Sequence, residues 1–367
     1  MEFKEFKIED LFNVESSKKI FHANNVVIKN CPEKDFYPYV VRSAQNNGVV
    51  GYINEKKEYL NPKNTLSFAQ DTFVVFYQNQ DYFTGNKVKI LTPKIKFNQN
   101  IGLFITSVFN ALLKNYSWGV GSTTETIKNY KIQLPITSAG EIDFDYMEQY
   151  IEKIEKQYIE KIALMLKASG LDNYQLTEEE KMVLKEEKEK KEFKIEDLWV
   201  VDDWVYGKDK KWKTQFDRPV EGSLPVISGQ TTNNGVKYYT TDNYSTDEVF
   251  EDCLTMTTRG ESGRVFYHPG KFLLANNVLV MKMPKYSKNV MLYLGTVIEK
   301  VCRSTNYSVY PTKDSLKTKT IFLPVTPTEE IDFEYMEKYI SAITKNKIKN
   351  VVLEINKKLE LYKQTQN

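Results

Sequence analysis

The sequence predicts an α+β fold: two tandem mixed α/β domains joined by two long antiparallel helices of coiled-coil character, in a pseudo-two-fold dumbbell. Three observations predict it. The chain repeats itself once. Each copy opens with short β-rich runs, and each closes on a long stretch whose apolar residues recur every three or four positions.

The repeat organises everything else. Residues 5–12 (EFKIEDLF) recur at 192–199 (EFKIEDLW), and Asn46-Asn47-Gly48-Val49 recurs as Asn233-Asn234-Gly235-Val236, both displaced by 187 positions. Phe76-Tyr77 returns as Phe266-Tyr267, displaced by 190. Residues 132–135 match 321–324, and 142–148 match 331–337, both displaced by 189. Five anchors in one order at nearly constant spacing make two copies of one unit, which a chain of 367 residues accommodates.

In the first copy, Val40-Val41, 49–53, 73–77 and 87–91 read as strands, bounded by turn residues such as Asn46-Asn47-Gly48 and Asn61-Pro62. A helix is expected from about 102 to 113, with a counterpart near 290–301. The long helices follow a Leu-Pro strand end and start at Asp143 and Asp332, a residue type that caps helix N-termini. The first seam runs through Phe144, Met147, Ile151, Ile154, Tyr158, Ile162 and Met165. The second runs through Phe333, Met336, Ile340 and Ile343, then Ile348, Val352, Ile355, Leu359 and Tyr362, with a slip in phase near 345–347. The Met and Tyr residues on these helices (Met147, Tyr158, Met336, Tyr362) are expected to pack in the seam. The first helix breaks at Ala168-Ser169-Gly170. A further helical piece starts at Thr177, and the charged run 185–191 reads as a solvated connector. The expected domains are 1–140, a central helical spacer 141–191, 192–327, and a distal spacer helix 328–367.

Composition narrows the function classes. Aromatics make up 13% and charged residues 27%, which excludes a disordered chain. The longest apolar stretch, 101–113, is too short to span a bilayer, so no membrane role is expected. Residues 1–5 lack the apolar core of a signal peptide. Cys31, Cys253 and Cys302 form no CxxC pair, which argues against zinc and for a reducing, cytoplasmic location. Net charge by segment is +5 for 1–140, −5 for 141–191, +2 for 192–327 and zero for 328–367, so the positive charge lies on the β-rich parts.

Two like faces pairing about a perpendicular two-fold axis run antiparallel and put the domains at opposite ends. A helix of about 25–32 residues is ~38–48 Å long, against ~34–36 Å for one turn of B-DNA. The two-copy plan, the start at 6–12 and the run 46–53 (NNGVVGYI) resemble the specificity subunits of Type I restriction-modification systems. The segment from 132–135 into 141–151 (EIDFDYMEQYI) resembles more particularly the specificity subunits of BcgI-like Type IIB systems. The resemblance implies two target recognition domains that each read half of a bipartite DNA site, with the helices as the ruler between them. It also implies two methyltransferase subunits as partners, with a restriction subunit as a further candidate. S-adenosylmethionine then belongs to the methyltransferase, and no cofactor to this chain. The chain has no Asn-Pro-Pro-Tyr or Asp-Pro-Pro-Tyr motif, no GxGxxG and no Walker loop, which fits a non-catalytic subunit. His22 and His268 are the only histidines and lie in different copies, so a triad is not expected. A stand-alone DNA-binding regulator of the same architecture is the alternative.

The candidate DNA contacts are Arg42, Gln45, Asn46, Gln70, Lys87, Trp118 and Ser122 in the first copy. In the second they are Arg218, Gln230, Asn233, Arg259, Arg264, Arg303 and Tyr307. Arginine is scarce here, with five against 46 lysines, and is the side chain best suited to bidentate contact with guanine. Asn and Gln suit adenine edges, although Asn-Gly also makes tight turns. An aromatic after the domain helix can stack on an exposed base. The copies diverge between 67–72 and 257–264, as two readers of different half-sites should.

Overall fold

A computed structural model describes residues 1–114, 122–303 and 310–364. It divides into two compact units, one formed by Met1–Ile162 with the chain end from Lys358, the other by Ala163–Lys357.

In the first unit β1 (Glu2–Lys7), α1 (Ile8–Leu11) and β2 (Phe12–Ser16) come first, then β3 (Tyr37–Val40) and β4 (Val49–Ile53). There follow β5 (Thr65–Ala69), β6 (Val74–Gln78), β7 (Phe83–Thr84) and β8 (Val88–Pro93). Helices α2 (Gln99–Leu113) and α3 (Thr124–Asn129), β9 (Lys131–Ile136) and α4 (Phe144–Ala168) complete it. The second unit adds α5 (Glu178–Val183), β10 (Lys190–Lys194), α6 (Ile195–Leu198) and β11 (Val205–Tyr206). Next are β12 (Leu224–Ile227), β13 (Val236–Thr240), β14 (Phe250–Thr257), β15 (Val265–Leu274) and β16 (Val278–Met281). Helices α7 (Lys288–Cys302) and α8 (Lys313–Lys317), β17 (Thr320–Pro324) and α9 (Phe333–Gln364) close the chain.

The sheets preserve the duplication where the sequence has lost it. The second unit has one six-stranded sheet, β11-β16-β14-β15-β12-β13. The first has β2-β8-β5-β6 and β4-β3-β7, the same order with the long strand β15 split into β6 and β7. The parallel pairs coincide: Tyr39 opposes Phe83 and Val40 opposes Thr84, as Val226 opposes Leu273 and Ile227 opposes Leu274. β1 pairs β9 and β10 pairs β17, both antiparallel. The charged run 185–191 is therefore not simply a solvated connector. Its end enters β10, and Lys188 Nζ lies 2.8 Å from an Asp332 carboxylate oxygen.

The repeated motifs build one joint twice. Ile8 is fully buried and its N–H donates to the Tyr130 carbonyl; Ile195 is fully buried and its N–H donates to Lys319. The carbonyls of Pro135 and Pro324 accept the N–H of Asp143 and Asp332 at 2.9 and 2.8 Å. Each aspartate then caps its long helix, Asp143 Oδ1 accepting from Tyr146 N and Asp332 Oδ1 from Tyr335 N. Met147 and Met336 are fully buried within the core of their own unit, not in a seam between helices. The next residue clamps the domain helix: Glu148 accepts from Asn98 Nδ2 at 2.5 Å, and Glu337 accepts from Ser287 Oγ and, at 2.7 Å, from Asn289 Nδ2. Asn98 and Ser287 are themselves the N-caps of α2 and α7.

Helix α4 departs from the expected seam after Ile154. Tyr158 and Met165 are 63% and 60% exposed, and Ile162 is exposed too, whereas Ile159 and Leu166 are buried. A straight α-helix turns once per ~3.6 residues, so a strict seven-residue pattern drifts off its face by ~20° per heptad. The buried stripe follows an eleven-residue step, Phe144 to Glu155 to Leu166. On α9 the expected residues from Met336 to Tyr362 are all buried or half-buried. Helix α4 ends as its sequence predicts, with Gly170 at φ +64° and the Leu171 N–H reaching back to the Leu166 carbonyl at 2.8 Å.

Helix α5 starts on a capping box between Thr177 and Glu180. Glu180 is 6% exposed, and burial opposes its ionisation. Lys345 (2.8 Å), Ser341 (2.7 Å) and the Thr177 N–H outweigh burial and hold the carboxyl down at about 2. A depressed folded-state value stabilises the fold fully above the ordinary carboxylate range and loses that contribution as pH falls. Glu180→Gln is therefore expected to lower stability near neutral pH by up to about 3 kcal/mol. Denaturation curves should show the difference from the parent shrinking between about pH 4.5 and pH 2. A difference independent of pH would mean that the carboxylate is not what holds α5.

Candidate nucleic-acid interface

Four loops meet at one end of each sheet system. In the first unit they are 41–48, 70–73, 85–87 and the segment ending at Ser122. The first is shaped by three successive left-handed residues, Asn46, Asn47 and Gly48, at φ 47°, 55° and 77°. Asn tolerates that region and Gly is unhindered in it. Both asparagine side chains are spent on the turn: Asn46 Nδ2 donates to Val49 O and Asn47 Nδ2 to Tyr77 O, each at 2.8 Å. The second unit repeats this with Asn233 donating to Val236 O and Asn234 to Tyr267 O. Asn46 and Asn233 thus serve the turn as their neighbours do, and the exposed Gln45 remains the free amide of that loop.

The other three loops are laced to it. Arg42 donates to Asp71 at 2.5 Å, and Lys87 reaches the same carboxylate at 3.0 and 3.2 Å. Gln70 N donates to Lys87 O at 3.0 Å. Gln70 Nε2 donates to Ser122 O at 2.5 Å, and Ser122 Oγ returns a bond to Gln70 O at 2.8 Å. Residues 67–69, expected in a divergent loop, are instead the buried end of β5, so the variable surface begins at Gln70. Thr257 and Thr258 are buried likewise.

The second unit brings together 228–235, 258–264, 275–277 and the chain around Arg303 and Tyr310. Gly229 N donates to Asn276 O and Thr258 N to Asn277 O. A Cβ on Gly263, at φ +80°, would lie 2.1 Å from the Cys302 carbonyl, so only glycine lets this loop pass the end of α7. Arg259 is exposed, with its guanidinium 4.9 Å from the centre of the Tyr310 ring. Arg264 is tied down: its NH1 lies 3.1 Å from Glu299, whose other oxygen accepts the Val265 N–H. That half-buried ion pair makes Arg264 a scaffold residue rather than a free reader, because its charge is already matched. Arg303 is exposed at the C-terminus of α7. Gln230 Nε2 is engaged by Val236 O within its own turn. Arg218 is exposed but belongs to the segment beside β13, away from these loops. Trp118 and Tyr307 lie outside the described residues.

Strand register aligns the loops position by position, since Ala69 opposes Val88 as Thr257 opposes Val278. Arg42, Asp71 and Lys87 correspond to Gly229, Arg259 and Asn277. One copy holds two cations on a carboxylate, and the other puts a single arginine where that carboxylate stands. Sequence reading missed the roles of Asp71 and Tyr310; the Tyr310-Pro311-Thr312 run before the capped helix α8 was the available signal. Asp71→Ala is expected to free Arg42 and Lys87 for phosphate, strengthening binding to all sequences alike. The slope of log affinity against log salt should steepen by about 1–2. An unchanged slope in a titration at several salt concentrations would place both cations off the DNA.

No catalytic constellation accompanies the loops among the described residues. His268 is buried, bonded to Thr255 at 2.8 Å, and burial lowers its value to about 4, so it is a neutral core residue. Burial pushes the Cys302 thiol up to about 12. No group of His, Cys, Asp and Glu suited to a metal occurs among the described residues. No helix among them is long and apolar enough to cross a membrane.

Comparison with known proteins agrees with this reading. Over 355 residues the chain is 28% identical to the specificity subunit S.BcgI of a Type II restriction enzyme from Heyndrickxia coagulans, covering 95% of this chain and 96% of that protein. The crystal structure of a Type I restriction-modification S subunit from M. genitalium shares the fold at a TM-score of 0.57 and 10% identity. That match covers 99% of this chain and 94% of the other. The model of the family described as the Type I restriction modification DNA specificity domain matches residues 1–164 and again 187–354, one match per copy, and the chain belongs to that family.

Proposed function

We propose that this specificity subunit reads a bipartite, asymmetric DNA site, with residues 1–140 on one half-site and 192–327 on the other. The helical segments 141–191 and 328–367 hold the two readers at a fixed spacing. The observation that carries the reading is the four-loop platform built twice on one strand order, with its charges rearranged at equivalent positions. Identical scaffolds with exchanged charge are what two different half-sites require. The scaffold contacts are backbone and turn bonds, which leaves Arg42, Gln45, Lys87, Arg259 and Arg303 as the side chains for bases and phosphates.

The partners in this reading are double-stranded DNA and two methyltransferase subunits, in the cytoplasm. S-adenosylmethionine binds to those subunits, and this chain contributes no catalytic group. Methylome sequencing of a host carrying the system is the test, and the expected modified site has two different halves around a gap of fixed length. One short continuous motif would overturn the reading. The chain alone should transfer no methyl group from labelled S-adenosylmethionine, and co-purification should recover a methyltransferase. Recovery of DNA-bound subunit alone would favour a stand-alone regulator.

The spacing role has its own expected result. Four residues inserted after Ile162 add ~6 Å at ~1.5 Å per residue. That is close to ~2 base pairs at ~3.4 Å each, with only a mild stutter in the apolar pattern. The gap should lengthen while both half-sites stay the same, although the unlengthened second helix will blunt the change. An unchanged gap at full activity would remove the helices from that role.

A further inference from the structure

The face of α9 that begins at Tyr335 is covered within its own unit by the acidic segment 177–188. Glu179 pairs with Lys338 at 2.8 Å and Glu180 with Lys345 at 2.8 Å. Lys188 lies 5.5 Å from the centre of the Tyr335 ring, and Val183 joins the core that holds Tyr335, with Tyr339 packed against it. Tyr335 and Tyr339 stack at 5.6 Å, Tyr293 meets Tyr339 edge-on, and Ala342 is fully buried.

The first unit carries the same aromatic ladder. Tyr146 stacks on Tyr150 at 6.0 Å, and Phe104 meets Tyr150 edge-on at 5.6 Å. With the displacement of 189, Tyr146, Gln149, Tyr150, Lys153 and Lys156 stand where Tyr335, Lys338, Tyr339, Ala342 and Lys345 stand. Here the face is open. Tyr150 is 43% exposed, and an open groove of about 490 Å³ is lined by Tyr146, Gln149, Tyr150, Lys153, Ile154 and Gln157. Lys153 and Lys156 have no ion-pair partner among the described residues. Counted back from β1, the counterpart of 177–187 falls before residue 1.

We infer that the open face of α4 seats a short acidic helix supplied by another polypeptide, laid as 177–183 is laid on α9. Its carboxylates pair with Lys153 and Lys156, and an apolar residue in the place of Val183 covers Tyr146 and Tyr150. The duplication fixes the geometry, and the two unmatched lysines fix the sign of the charge. Among the proposed partners the methyltransferase subunit is the one that supplies it, so the inference rests on the methyltransferase reading above.

The test uses the full complex. With a photo-crosslinking phenylalanine analogue in place of Tyr150, irradiation should join this chain to a glutamate- or aspartate-rich helical peptide of the methyltransferase subunit. The double variant Lys153→Glu, Lys156→Glu should weaken assembly at least tenfold in a binding titration while DNA binding by the isolated chain is retained. Crosslinking to a second copy of this chain, or to a basic segment, would overturn the inference. Assembly of the double variant at unchanged affinity would overturn it while leaving the methyltransferase reading intact. Failure of the unmodified chain to assemble with any methyltransferase would instead remove both.

Discussion

Replacing Arg259 by alanine is expected to relax specificity at one base of one half-site, costing ~1–3 kcal/mol there, or roughly 5- to 150-fold in affinity for the cognate base. The side chain is exposed, is held by the Tyr310 ring and has no carboxylate partner among the described residues, so its donors are free for a guanine edge. The parallel change Arg264→Ala should behave otherwise. It removes the partner of Glu299, which also orients Val265, and leaves a half-buried carboxylate unmatched. Its cost should appear as lost stability and a uniform loss on all sequences. Competition titrations on cognate and base-substituted duplexes, read beside thermal melts, separate the two. Uniform loss from Arg259→Ala would reassign it to phosphate, and a base-specific loss from Arg264→Ala would reverse the assignment.

What the sequence revealed and what it hid follow from the same cause. The recurring residues are those whose partners are backbone or core: Ile8 and Ile195, the two Asn-Asn-Gly turns, the Asp caps and the Met-Glu pair. Each makes the same bond in both copies, so each recurs in sequence, and duplication made the fold legible. The strands β5 and β14 share a place in the sheet but pack different neighbours, and their sequences diverged, so buried residues 67–69 looked like a variable loop. The reading loops were legible as regions, because Arg42, Gln70, Lys87 and Arg259 all fall on them. The partner of each cation was not, since Asp71 and Glu299 lie 29 and 35 positions away in sequence from the arginines they hold. The seam of α4 was misplaced by one residue for a geometric reason. Seven-residue counting is right for a supercoiled helix and drifts on a straight one, so Tyr158 was chosen where Ile159 is buried.

Truncating Met336 to alanine is expected to cost ~2–5 kcal/mol, because a fully buried side chain leaves a cavity that its neighbours fill only in part. The consequence should exceed lost stability. Met336 sits at the one point where β17, α7 and α9 are joined: Asp332 is tied to Pro324, and Glu337 to the N-cap of α7. Weakening that joint lets the reading domain swing against its helix. Met147→Ala should have the same effect on the first unit, where Glu148 holds Asn98. For a domain of about 150–250 residues each kcal/mol lowers the melting temperature by ~2–4 °C, so a fall of roughly 4–20 °C is expected. In a methylome the same variant should keep both half-sites and tolerate gaps one base pair longer or shorter. A lowered melting temperature with an unbroadened gap would mean that the helix direction is fixed by the Asp332 and Glu337 bonds alone. In that case Glu337→Ala should broaden the gap with little loss of stability.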